Sequence, residues 1–157
     1  MPVSIFSGWI VVLVAEEIQK RRAESGGKAA KLTEPGATIA DKEESPMQYL
    51  LLIYENEKRF SQGYPEAELN EYRAFGKEHA AAIKGGNALQ PTNAASTVRV
   101  RNGKPLSTDG PFAETKEQLG GYYLVEANSR DEAIAMAGKI PGARFGSVEV
   151  RPIMTFS

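Results

Sequence analysis

Two residues of this sequence, His79 and Asp109, have side chains suited to acid–base chemistry. His79 is the only histidine among the 157 residues, and Asp109 begins the stretch Asp-Gly-Pro-Phe. A carboxylate paired with an imidazole fixes its tautomer and raises its basicity, and such a pair accelerates proton transfer by roughly 10²–10⁴-fold. We interpret them as a candidate catalytic pair. The alternatives are a half-buried structural histidine and an Asx-turn residue before Gly110.

Charged and aromatic residues on predicted strands form a second candidate set. Arginines at such positions attract an anionic substrate, for example a carboxylate or a phenolate. The alternatives are solvated strand faces, ion pairs in a dimer interface and, for the tyrosine, a place in the core. The residues of this substrate-binding set are Arg99, Arg101, Tyr122, Glu149 and Arg151.

The composition narrows the chemistry that is open to the chain. There is no cysteine and one histidine, which excludes thiolate nucleophiles, cysteine-ligated metals and a His-rich metal site within one subunit. The formal net charge of −1 gives no general attraction to nucleic acid. No Gly-x-Ser-x-Gly motif is present. We therefore expect a small-molecule ligand, no cofactor, no metal and no nucleic-acid partner.

Residues 1–46 differ from the rest of the chain. The run Ile5–Ala15 is apolar but shorter than the ~20 residues of a membrane-spanning helix, and no basic residue precedes it as in a secretory signal. We predict a helix over about residues 4–24, a linker up to Pro46, no membrane span and a cytoplasmic protein. Codons for Lys42-Glu43-Glu44 can form a purine-rich tract like those before bacterial start codons. Our hypothesis is that residues 1–46 are either an upstream misread, with translation beginning at Met47, or a dispensable extension.

Residues 47–157 alternate between strand and helix patterns. An apolar strand is followed by a helix beginning at Pro65, whose inner stripe includes His79 and which Gly85-Gly86 ends. Asn102-Gly103 predicts a tight hairpin, and Ser129 with Glu132 predicts a capped second helix. The predicted strands are Tyr49–Tyr54, a short extended piece at Leu89–Pro91, Ser96–Arg101, Pro105–Thr108, Gly120–Ala127 and Ser147–Met154.

This order of elements predicts an α+β fold of the ferredoxin-like βαββαβ type with an antiparallel sheet. Two helices can cover only one face of such a sheet. The other face needs a partner, and a second copy of the sheet is the usual one. We therefore expect a homodimer with its sheets face to face.

The stretch TVRVRNGKPLSTDGPFAETKEQLGGYYLVEANSRDEAIAMAGKIPGARFGSVEVRP, with the opening MQYLLLIY, resembles the DGPF branch of the YCII-related (YciI-like) family. The resemblance covers Met47 to about Ile153. It implies a dimeric α+β-barrel with a His–Asp active site, to which Asp109 carries over within the signature and His79 less directly. Related dimeric barrels include cofactor-free lyases and isomerases. An alternative role implied by the resemblance is a non-catalytic ligand-sensing module associated with extracytoplasmic-function sigma factors.

Overall fold

The computed structural model describes residues 46–156. The helix and linker that we predict for residues 1–46 therefore lie outside the described residues, apart from Pro46. Within this range the strands are β1 (Met47–Glu55), β2 (Ile83–Ala88), β3 (Ser96–Arg101), β4 (Lys104–Asp109), β5 (Gln118–Ala127) and β6 (Ser147–Pro152). The helices are α1 (Glu66–Glu78) and α2 (Arg130–Ala137), with 3₁₀ turns at Glu57–Phe60, Thr92–Ala94 and Pro141–Arg144.

The strands form two separate sheets. Four of them make an antiparallel sheet in the order β2-β5-β1-β6, and β3 pairs only with β4 as a hairpin. The four-stranded sheet with α1 and α2 is the βαββαβ arrangement, so the predicted α+β, ferredoxin-like fold is confirmed. The hairpin is an insertion between β2 and β5.

The core lies between one face of the four-stranded sheet and the two helices. Along β1, Tyr49, Leu51 and Ile53 are buried, whereas Leu50 and Leu52 between them are only partly buried. Side chains alternate between the two faces of a strand, so the first three lie in the core and the last two lie on the opposite, open face. No described helix packs on that open face. The apolar run of β1 therefore serves both faces of the sheet, the helix-covered core and the open face.

The predicted end of the first helix is wrong. We placed it at Gly85-Gly86, but α1 ends at Glu78 and Gly85-Gly86 lies inside β2. The chain turns at His79, whose carbonyl accepts hydrogen bonds from the amides of Ala82 and Ile83. A Cβ on Gly86 would lie 2.7 Å from the Tyr122 carbonyl oxygen, so this glycine serves close strand packing, a role that sequence alone does not distinguish from helix termination.

Two local predictions are confirmed. Asn102 and Gly103 have φ values of 51° and 73°, as a type I′ hairpin turn requires. Ser129 caps α2 by accepting a hydrogen bond from the Glu132 amide at 3.2 Å. The returning carboxylate of Glu132 accepts from the amide of Asn128 at 2.7 Å, one residue earlier than in a standard capping box.

An irregularity near Gly120 changes the pairing of β1 with β5. Gly121 pairs with Ile53, but Leu119 pairs with the next residue, Tyr54, so that Gly120 is an extra residue in β5. This β-bulge places Gln118 opposite Glu55.

Within residues 46–156, no helix is long and apolar enough to cross a membrane.

Candidate functional site

His79 and Asp109 lie at opposite ends of the four-stranded sheet. His79 follows α1 and hydrogen-bonds to Ile83, which pairs with Val125 near the end of β5. Asp109 ends the hairpin, which joins the chain near the Gly120 end of β5. The five residue steps from Gly120 to Val125 span about 17 Å of extended strand. One chain therefore does not bring the predicted catalytic pair together.

His79 has its own, different neighbours. Its side chain is 15% exposed, and its Nε2 atom lies 3.6 Å from a carboxylate oxygen of Glu78 without a hydrogen-bond partner among the described residues. Its ring packs against Phe75 with 4.8 Å between ring centroids. Burial lowers the pKa of His79; the Glu78 charge opposes this and Lys139 adds to it. The surroundings therefore favour a neutral imidazole.

Asp109 is exposed at the base of the hairpin, opposite Ser96 in the β3–β4 register. Within the described part of the chain, no hydrogen bond or ion pair engages its carboxylate. The loop after it continues along a cavity, described below, but Asp109 does not line that cavity. Its side chain is thus accessible to solvent rather than held beside a base.

The predicted substrate-binding residues divide between two surfaces. On the open sheet face, Arg151 binds Glu149, and the Tyr122 hydroxyl accepts a hydrogen bond from Asn87 at 3.0 Å. Arg99 and Arg101 lie on the exposed hairpin, with the Arg99 guanidinium 5.5 Å from the centre of the Phe112 ring. These residues do not form one pocket within a single chain.

A cavity of about 590 Å³ opens between the loop after Asp109 and the segment after β2. We call it the Phe112 cavity. Pro111, Phe112 and Ala113 line one side and Leu89–Ala95 contributes much of the other, while Tyr54 and Gln118 reach it from the sheet. The Phe112 ring is 79% exposed, although a large aromatic side chain gains from burial. An exposed ring beside a largely apolar cavity is typical of a ligand-binding rim.

A second cavity of about 440 Å³ adjoins the first. We call it the Glu55 cavity. Glu55, Glu57, Phe60 and Tyr64 line it. It shares five lining residues with the Phe112 cavity, so the two cavities are adjacent, and we refer to them together as the cleft; the shared residues are Leu89, Gln90, Pro91, Gln118 and Leu119.

Two buried carboxylates and a partly exposed arginine form a network of charges at the wall of the Glu55 cavity. Glu55 and Glu68 are 4% and 5% exposed. Arg59 donates to one oxygen of each, at 2.7 Å and 3.1 Å, and the Tyr72 hydroxyl donates to the other oxygen of Glu55 at 3.1 Å. The remaining oxygen of Glu68, Oε1, is buried without a partner among the described residues. Burying a charge without full hydrogen bonding costs free energy. The network is therefore a candidate for a functional role.

The environment of Glu55 alters its titration. Burial raises the pKa of the Glu55 carboxyl; the hydrogen bond from Tyr72 and the charge of Arg59 oppose that rise, and the charge of Glu68 adds to it. Burial and the two carboxylates also raise the pKa of the Tyr64 phenol, which therefore remains neutral. The cleft contains a carboxylate that protonates more readily than a surface glutamate does.

No motif in the sequence marks Glu55, Arg59 or Glu68 as site residues. A glutamate at the end of a strand and two charged residues near a helix start are ordinary surface features. The burial of Glu55 depends on the 3₁₀ turn at Pro141–Arg144, which lies far away in the sequence. A Cβ on Gly142 of this turn would be 2.2 Å from a Glu55 carboxylate oxygen. The glycine therefore permits the turn to cover the carboxylate.

No group of three or more His, Cys, Asp or Glu side chains within residues 46–156 is arranged to hold a metal ion.

The family model for the YCII-related domain matches residues 47–157. The chain is also 38% identical over 117 residues to an uncharacterised protein, R00369, of Rhizobium meliloti (strain 1021). That alignment covers 70% of this chain and 94% of the relative.

Proposed function

The chain belongs to the YCII-related family, and from this premise we propose that it binds a small molecule in the cleft formed by the Phe112 and Glu55 cavities. The observation that carries the proposal is the adjacency of two cavities, of about 590 and 440 Å³, on either side of the shared segment Leu89–Pro91. Volumes of this size are typical of small-molecule sites.

The lining of the cleft supports this proposal. Ligand sites combine apolar walls with a few fixed polar groups. Here the walls include Leu89, Pro91 and Phe112, and the Thr92 hydroxyl donates to Glu57 at 2.7 Å. This hydrogen bond ties the segment after β2 to the 3₁₀ turn after β1. The tie holds the shared wall of the two cavities in place.

Two forms of this function differ in whether chemistry follows binding. The first is a cofactor-free lyase or isomerase using His79 and Asp109. Because these residues lie at opposite ends of the sheet, that mechanism requires two copies of the chain to supply one residue each. The second is a non-catalytic, cytoplasmic ligand-sensing module of the DGPF branch, associated with sigma-factor signalling. The separation of the pair in one chain favours the second form.

We also propose that the chain forms a homodimer through the open sheet face. Leu50, Leu52 and Leu124 are partly buried there, with Tyr122 beside them, and no described helix covers them. A flat apolar face of this kind is typical of an interface. Light scattering should give twice the mass of one chain, and Leu52→Lys should give a monomer. A wild-type monomer at about 100 µM would contradict the proposal.

A small-molecule screen by thermal shift tests the binding proposal, because a compound that binds only the folded chain raises the melting temperature. Ala113 lines the Phe112 cavity and Ala135 is exposed on α2, which gives a matched pair of variants. We expect compounds that stabilise the wild type and Ala135→Trp to lose their effect on Ala113→Trp. Compounds that stabilise all three proteins equally bind elsewhere and contradict the proposal.

A further inference from the structure

The charges around the Glu55 cavity indicate which chemical class of ligand the cleft selects. We propose that the ligand carries a positively charged hydrogen-bond donor, an ammonium or amidinium group, on an apolar body, and that Glu55 binds this group. The inference rests on the proposed small-molecule function and adds the charge of the ligand and the residue that recognises it.

Glu55 is a fixed acceptor in the wall of the cavity. It is among the residues that line the cavity, it is only 4% exposed, and hydrogen bonds from Tyr72 and Arg59 hold its two oxygens. Each carboxylate offers about four acceptor positions, so Glu55 retains capacity for a further donor. The backbone of Gly142 prevents the side chain from moving away from the cavity on its covered side.

The network around Glu55 has an excess of negative charge. Two buried carboxylates, Glu55 and Glu68, share the single guanidinium of Arg59. Arg59 is itself held in place, since its guanidinium carbon lies 3.7 Å from the Phe145 ring centre and 4.9 Å from that of Phe60. With both glutamates ionised, the cluster carries one uncompensated charge, and the unpartnered Glu68 Oε1 atom lies within it. A cation in the cavity would balance that charge.

The wall near Glu55 suits a cation on an apolar body. The rings of Phe60 and Tyr64 stack with 3.6 Å between their centroids, and both line the cavity. Aromatic faces attract cations, and Leu89 and Leu119 extend the apolar surface. Lys58 also lines the cavity, but its side chain is exposed and Glu57 beside it has the opposite charge. The aromatic rings and the charge of Glu57 thus favour a cation over an anion in this cavity.

This ligand class differs from the anionic substrate that the arginines predicted. Arg99, Arg101 and Arg151 line neither cavity. An anion in the Glu55 cavity would instead meet Glu55, whose carboxylate shares one guanidinium with that of Glu68. The charge preference of the cleft is therefore opposite to that expected from the polar faces of the strands.

Three compounds of nearly equal shape test the inference: benzylamine, benzyl alcohol and benzoate. Each is titrated into ¹⁵N-labelled protein at neutral pH, and the amide shifts of Leu89, Gln118 and Gly120 report on the cleft. We expect benzylammonium to bind roughly tenfold more tightly than benzyl alcohol, as one charge-assisted hydrogen bond provides, and benzoate to bind most weakly. Benzoate binding as tightly as benzylammonium would overturn the inference while leaving the cleft as the binding site.

Glu55→Gln keeps the shape of the side chain and removes its charge. It should weaken benzylammonium by roughly tenfold and leave benzyl alcohol within about twofold. Glu66→Gln, on the exposed start of α1, is the matched control and should change neither. If Glu55→Gln does not fold, the order in which the three compounds bind to the wild type decides whether the inference holds. If none of the three perturbs the cleft amides and the thermal-shift screen finds no cleft binder, the proposed function itself fails.

Discussion

The two ends of the four-stranded sheet both contain a buried polar group, but they differ in what surrounds it. At one end, His79 packs against Phe75 beside the exposed Glu78–Lys139 pair. At the other end, the buried Glu55 binds a partly exposed arginine and lines a cavity. Neither described cavity includes His79.

This difference shows that residue type alone is a poor guide to the site. A histidine attracts attention because its pKa lies near neutrality, yet here burial lowers that pKa and neither of the two described cavities includes the ring. A glutamate is common on surfaces and rarely buried. Buried charge beside open volume is the stronger indication of a binding site, and of these two ends the Glu55 end combines both features within residues 46–156.

The largest expected effect comes from removing the cation of the Glu55 network. Arg59→Leu leaves two buried carboxylates without their shared partner, and we expect a loss of roughly 3 kcal/mol in the free energy of unfolding. Urea denaturation measures it. Arg73→Leu, which breaks an exposed pair with Glu66, is the control and should lose at most about 1 kcal/mol. Equal losses in the two variants would show that the network is no different from a surface ion pair.

A smaller effect is expected at the turn that covers Glu55. The Cβ of Gly142→Ala would meet the Glu55 carboxylate at 2.2 Å and the Tyr72 hydroxyl at 2.8 Å, which should destabilise the fold by roughly 1–3 kcal/mol. At Gly138 the nearest atom to an added Cβ is 3.6 Å away and φ is −64°. Gly138→Ala should therefore change the stability by less than about 1 kcal/mol. Thermal unfolding of both variants compares the two turns directly.

The third prediction concerns pH. Because the folded chain raises the pKa of Glu55, it holds that proton more tightly than the unfolded chain does. The resulting stabilisation is complete below the ordinary glutamate pKa and is lost as pH rises through the raised value. Glu55→Gln does not titrate, so its stability relative to the wild type should improve from about pH 4 to pH 8. A pH-independent difference in the free energy of unfolding would contradict a raised pKa.

The smallest expected effect is an unchanged titration at the opposite end. Asp109→Asn should leave the NMR-measured pKa of His79 as it is, because the two side chains lie at opposite ends of the sheet. Glu78→Gln should lower that pKa, since the Glu78 charge raises it. A shift of the His79 pKa in Asp109→Asn that appears only at concentrations where the chain dimerises would instead show that two copies assemble the pair.

Sequence patterns predicted most of the fold because its signals are local. The apolar run of β1, the Asn102-Gly103 turn and the Ser129 cap each depend on neighbouring residues. Strand β2, part of which we assigned to the first helix, shows the limit of such local signals. Its glycines fit a helix end equally well, and only the backbone of β5, nearly forty residues later, decides between the two.

The candidate site was less predictable than the fold. The family resemblance, confirmed by the family match over residues 47–157, directed attention to the stretch after Asp109, and Pro111 and Phe112 do line the cleft. The burial of Glu55 could not be predicted, because it requires β1, α1 and the turn at Gly142 to meet in space. Nor does spacing in the sequence show that His79 and Asp109 are separated by the length of a strand.

The bulge at Gly120 has a consequence for how this cleft could diversify. Because the bulge leaves Gly120 unpaired, Gln118 rather than Leu119 stands across from Glu55. Deleting Gly120 would remove the bulge but leave Leu119 opposite Tyr54 and Gln118 opposite Glu55. A bulge bends its strand and increases the local twist, so the loss of a single codon here would change the shape of the cavity wall while leaving the sheet in register. Length variation at this one site would thus alter the contour of the cleft without replacing any of the other residues that line it.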